Sequence, residues 1–77
     1  MKDLVLFLAK QLVNHPEAVE VTEVEGDTVS LIELRVAKED LGRIIGKKGK
    51  TAKSLRTIIN AVAARTGHKL VRLDIVE

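Results

Sequence analysis

The sequence predicts an α+β two-layer sandwich, a three-stranded sheet covered on one face by three helices. Three observations predict it. An opening apolar segment recurs near the helical period and is stopped by Pro16. Two alternating segments then flank the turn pair Gly26-Asp27. After Gly49, a basic amphipathic segment is followed by a last alternating run, Val71, Leu73 and Ile75. The expected order is α-β-β-α-α-β, with residues 1–77 forming a single domain.

The first helix is expected over about residues 2–14, where Leu4, Val5, Leu8, Leu12 and Val13 form a stripe. Leu6, Phe7 and Ala9 widen that stripe, so the helix should bury more than one face. Val19, Val21 and Val24, set among Glu and Thr, mark a strand over 18–25. A second strand is expected over 28–36. There Ile32, Leu34 and Val36 alternate with Glu33 and Arg35, giving one buried face. Val29 and Leu31 fall out of phase, which requires either a bulge near Leu31 or a partly apolar outer sheet face. A short helix fits 38–45, with Glu39 and Asp40 in its first turn where the helix dipole favours anions. A longer helix fits 50–66. Leu55, Ile58, Ile59 and Val62 supply its core face, Lys53, Arg56, Asn60 and Arg65 its wet face, and Gly67 its C-terminal cap.

A chain of 77 residues buries little more than ~60% of its unfolded surface, so its core must be efficient. Leu, Ile and Val supply that core. Phe7 is the single aromatic, and the absence of cysteine excludes disulfides and thiolate metal sites. The apolar run 4–9 is far shorter than the ~20 residues that span a bilayer. Asp3 and Lys10 flank it and no small-residue cleavage site follows, so a cytosolic protein without membrane contact is expected.

The net charge of +2 conceals an asymmetry. Between Gln11 and Leu34 there is no Lys or Arg, while Glu17, Glu20, Glu23, Glu25, Asp27 and Glu33 fall there. The following segment carries Arg35, Lys38, Arg43, Lys47, Lys48, Lys50, Lys53 and Arg56 against only Glu39 and Asp40. If the fold keeps these segments apart, a polyanion is steered to one end of the molecule.

Gly46-Lys47-Lys48-Gly49 lies in that basic segment, between two predicted helices. Glycines three apart let the chain turn sharply and approach a ligand closely. The lysines put charge where a phosphate would arrive. At the start of the next helix, over 50–52, backbone N–H groups without intrahelical partners add positive potential. The expected contacts are Gly46, Lys47, Lys48, Gly49, Lys50, Thr51 and Lys53. Arg43 is a further expected contact, and the bases would lie in a groove between the two helices and the strand ending near Val36, with Gly42, Ile44 and Leu34 as candidates for its floor and Ile45 as a core anchor.

Other chemistries fit less well. Gly49-Lys50-Thr51 imitates the end of a nucleotide-binding phosphate loop, but that pattern needs glycine at position 44, where Ile44 stands. It also follows a strand, whereas this loop joins two helices. His15 and His68 sit at element ends without a nucleophile or metal partner near in sequence, and read as surface or capping residues. No acid–base pair can be assigned, so neither an enzyme nor a cofactor is expected. The absence of Trp and Tyr argues against sheet platforms that stack bases on aromatics.

The run from Gly42 through Thr51, GRIIGKKGKT, closely resembles the KH-domain signature, and the resemblance extends over almost the whole chain. The leading helix and hairpin, with the third strand last, look like the type II arrangement. A free-standing chain of this size is similar to the KhpA family of small bacterial KH-domain RNA-binding proteins. That resemblance implies a cytoplasmic RNA chaperone that binds single-stranded RNA through Gly46, Lys47, Lys48 and Gly49. It also implies self-association, pairing with a larger KH-containing protein of the Jag (KhpB) type, and links to cell shape. The competing expectation is a protein-interaction or dimerisation module whose glycine loop is structural. The broad apolar face of the first helix and the unphased Val29 and Leu31 favour it.

Overall fold

The computed structural model describes residues 1–67 and 70–76 and has the expected order of elements. These are α1 (Lys2–Leu12), β1 (Glu20–Glu25), β2 (Val29–Arg35), α2 (Leu41–Ile45), α3 (Lys50–Arg65) and β3 (Leu70–Val76). His68, expected at the surface, lies outside the described residues. The sheet order is β1-β2-β3, with β1 antiparallel and β3 parallel to the central β2. A parallel pair needs a long crossover, and α2 and α3 supply it.

The alternation of each strand fixes the core. Val21, Ile32, Leu34, Val71 and Leu73 point to one face, where Val5, Ala9, Ile44, Leu55, Ile59 and Ala63 of the helices close over them. No helix among the described residues is long and apolar enough to cross a membrane. The two-way choice posed by Val29 and Leu31 resolves toward an apolar outer face. Pairing runs without a bulge from Glu20↔Arg35 to Glu25↔Ser30, and Val24 sits opposite Leu31 on the uncovered side.

Several boundaries differ from the sequence expectation, four of them for an identifiable local reason. Helix α1 ends at Leu12, before Asn14, because Val13 is extended and the next two amides are taken by one carboxylate. The N–H groups of Asn14 and His15 donate to Asp40 Oδ1 and Oδ2 at 3.1 and 2.9 Å. A turn of 3-10 helix at Pro16–Ala18 then delays β1 to Glu20. The hairpin tip is Asp27-Thr28, one residue later than Gly26-Asp27, since the Gly26 N–H donates to the Val29 carbonyl at 3.0 Å. The predicted helix over 38–45 divides into a 3-10 turn at Lys38–Asp40 and the α-helix Leu41–Ile45. Gly67 follows α3 with φ of +76°, the left-handed conformation expected of its C-terminal cap.

Two residues assigned to the wet face of α3 act instead on β3. The Asn60 side chain donates to the Val71 carbonyl at 3.0 Å and accepts from the Val71 N–H at 2.8 Å. Arg56 Nε donates to the Leu73 carbonyl at 3.2 Å. An edge strand offers unpaired backbone groups to any other chain, and these two side chains cover that edge from within.

Candidate nucleic-acid interface

Helix α2 is stopped by Gly46, whose φ of 78° and ψ of 171° lie in a region that side-chain-bearing residues essentially do not enter. Its N–H donates to the Gly42 carbonyl at 2.8 Å and closes the helix. A tight turn follows at Lys47–Gly49, with the Gly49 N–H donating to the Gly46 carbonyl at 3.1 Å. Lys48 takes φ 57°, ψ 26°, left-handed in spite of its side chain, at a cost of roughly 1 kcal/mol. Gly49, also left-handed, forms the N-cap of α3 without a side chain to compete for the first-turn amides.

The glycines do different work. A Cβ on Gly46 would collide with the Thr51 side chain and lie 2.8 Å from the Thr51 nitrogen, so this glycine is packed against α3. A Cβ on Gly49 would meet nothing within 4 Å, so this glycine borders open space. Lys47 and Lys48 are exposed, and neither forms an ion pair among the described residues. Lys50 and Lys53 share that state on the first turns of α3. The corner is thus uncovered, with four unpaired ammonium groups around a helix N-terminus.

Other basic residues are engaged by the fold. Arg43 is exposed, and its Nε and Nη2 donate to the Asn14 side-chain oxygen at 3.0 and 3.2 Å, with that amide turned to present its oxygen. Arg56 is held by β3. Arg35 lies 3.9 Å from Glu20. The charge separation is therefore partial. Glu25 and Asp27 lie at the hairpin end of β2 and Glu23 faces Ile32 in the middle of that strand, away from the strand end that leads to α2. Glu17 and Glu39 lie within 4 Å of His15, and Glu20 faces Arg35.

The expected groove floor needs correction. Leu34 and Ile44 are both 0% exposed and belong to the core, while Ile45, expected as the core anchor, is 42% exposed. The inversion follows from helical geometry: Asp40 and Ile44 share one face of the chain turn, and Ile45 lies 100° further round. Ile45 and exposed Gly42 therefore carry the free surface of α2. No sequence signal separates Ile44 from Ile45, because both fall within one turn of Leu41. Asn14 and Asp40 were also missed as supports of α2, since their partners are 25 or more residues away.

On another side of α3, an apolar cleft of about 230 Å³ separates it from α1. Leu8 and Leu12 line one wall, and Thr51, Leu55 and Ile58 the other. Phe7 and Ile58 add exposed apolar surface on these helices, 61% and 45% accessible.

A family model described as the KhpA/KhpB KH domain matches residues 2–75. The chain is similar to the RNA-binding protein KhpA of Listeria monocytogenes, 47% identical over 77 residues and all of both chains. It is also similar to KhpA of Aquifex aeolicus, 46% identical over 77 residues and 96% of that protein. The KhpA of Chlamydia caviae is 47% identical over 77 residues and 97% of its length.

Proposed function

The chain belongs to the KhpA/KhpB family of KH domains, and from that premise we propose that it binds single-stranded RNA by gripping the backbone at Gly46-Lys47-Lys48-Gly49. The observation that carries the reading is the uncovered lysine corner at the start of a 16-residue helix. Phosphodiesters approach on the open side of Gly49, Lys47 and Lys48 neutralise them, and Lys50 and Lys53 extend the cationic surface along α3. Ile45 and Gly42 offer the bases an aliphatic surface. Leu34 and Ile44 support it from below.

One such module holds about four nucleotides with little base selectivity, which suits an RNA chaperone acting in post-transcriptional regulation in the cytoplasm. The test is the double reversal Lys47→Asp, Lys48→Asp. It should abolish binding of a labelled oligouridine while leaving the circular dichroism spectrum unchanged; undiminished affinity refutes the site. If roughly three phosphates are neutralised, log K should fall with log salt at a slope of about −2.

A second activity is supported by the α1–α3 cleft with exposed Phe7 and Ile58. Self-association there, or pairing with a larger KH-containing protein of the Jag (KhpB) type, would raise a modest single-site affinity by avidity. Light scattering beside an RNA gel shift separates the roles. A dimer without RNA affinity at low salt leaves only the interaction module.

A further inference from the structure

We propose that Thr51 is a positioning residue that sets the backbone of Gly46 and thereby the aim of the loop. Gly46 is the hinge between α2 and the loop, and its outer Hα side is filled by one residue. A Cβ built there would overlap Thr51 Oγ1 and come within 2.7 Å of Thr51 Cβ. Thr51 is half-buried, and its hydroxyl has no hydrogen-bond partner among the described residues, so its role at Gly46 is one of shape. A β-branched side chain in a helix has few rotamers, which makes it a stiff stop for the glycine beside it.

The same side chain forms part of the wall of the α1–α3 cleft. Thr51 therefore joins two regions that share no other described element of the loop: repacking the cleft moves Thr51, and moving Thr51 releases Gly46. Its effect on nucleic acid rests on the RNA reading of the loop. Its effect on Gly46 does not.

The test uses three full-length variants, Thr51→Val, Thr51→Ser and Thr51→Ala. The Gly46 and Gly49 amide resonances are followed in the free protein, and affinity for a labelled decauridine is measured in parallel. Valine keeps the branched shape and discards the hydroxyl, so the Gly46 resonance should stay near its wild-type position and affinity should fall least of the three. Alanine removes the stop; the Gly46 resonance should move and affinity should fall about five- to tenfold. Serine keeps the oxygen but loses the branch, and should fall between them. The opposite order, with serine like wild type and valine impaired, assigns the hydroxyl to direct contact and overturns the proposal. An unmoved Gly46 resonance in Thr51→Ala overturns it too. If that resonance moves while Lys47→Asp, Lys48→Asp binds RNA normally, positioning stands and the loop's RNA role falls.

Discussion

At its N-terminal end the five-residue helix α2 meets a junction in which buried Asp40 and the Arg43 guanidinium both have partners, whereas its C-terminal end opens into a loop whose charges have no ion-pair partner among the described residues. Asp40 is 1% exposed, and each carboxylate oxygen accepts one backbone N–H from the segment after α1. Arg43 is held by the Asn14 amide. Four residues later, Lys47 and Lys48 stand in solvent on a backbone that includes one strained lysine. A short helix has too few internal hydrogen bonds to hold its own place. The buried junction fixes α2 and lets the other end stay open for a ligand, since unsatisfied groups are tolerable only where water or phosphate can reach them.

The largest expected effect comes from removing the anchored end. Asp40→Ala leaves two N–H groups without their charged acceptor and should cost about 3 kcal/mol, each such bond contributing 1.5 or more. In a domain of this size that is much of the total stability. Asp40→Asn retains one acceptor oxygen and should lose about half as much. Urea unfolding measures both. An Asp40→Ala midpoint equal to wild type would show that α2 is held in some other way. Arg43→Ala, at the exposed edge of the same junction, should cost no more than about 1 kcal/mol.

Next comes a pair of substitutions at the open end. Gly46→Ala meets both a forbidden backbone region and the Thr51 side chain, so it should destabilise by about 2–3 kcal/mol. Gly49→Ala meets only the left-handed backbone cost, about 1 kcal/mol, because its Cβ would enter open space. That space is where a phosphate is proposed to lie. Gly49→Ala should therefore weaken RNA binding by more than its small stability loss suggests, while Gly46→Ala is chiefly a folding defect. Equal stability losses at the two glycines would remove the distinction between a packed hinge and an open contact.

What could be read from the sequence divides along the same line. The alternation at Ile32, Leu34 and Val36 places β2 and its buried face because a strand repeats every two residues. The glycine spacing and the lysines place the loop because both signals are local. Asp40 reads as a first-turn helix acid, yet its carboxylate is used 25 residues back in the chain. Asn60 and Arg56 read as solvent-facing, yet they bind a strand that follows them. Ile44 and Ile45 are chemically identical neighbours, separated only by which way a one-turn helix is rotated. Local chemistry announces the open end of α2; the anchored end is made by tertiary contacts that no period or spacing encodes.

Lys48 gives the smallest effect and the one with opposite signs. Its left-handed φ of 57° strains the free protein, while its ammonium adds to the cationic corner. Lys48→Gly relieves the strain of roughly 1 kcal/mol but makes the unfolded chain more flexible, so a net gain of about 0.5 kcal/mol is expected. The same change deletes one charge. RNA affinity should fall, and the salt slope should become shallower by about 0.7, the value for one phosphate contact on a single strand. Lys47→Gly loses a comparable charge without that backbone gain, since Lys48 is the sole described non-glycine residue with positive φ. A domain that becomes more stable as it binds less tightly identifies Lys48 as a residue kept for its charge. Loss of stability in Lys48→Gly, or an unchanged slope, would instead make it an ordinary turn residue.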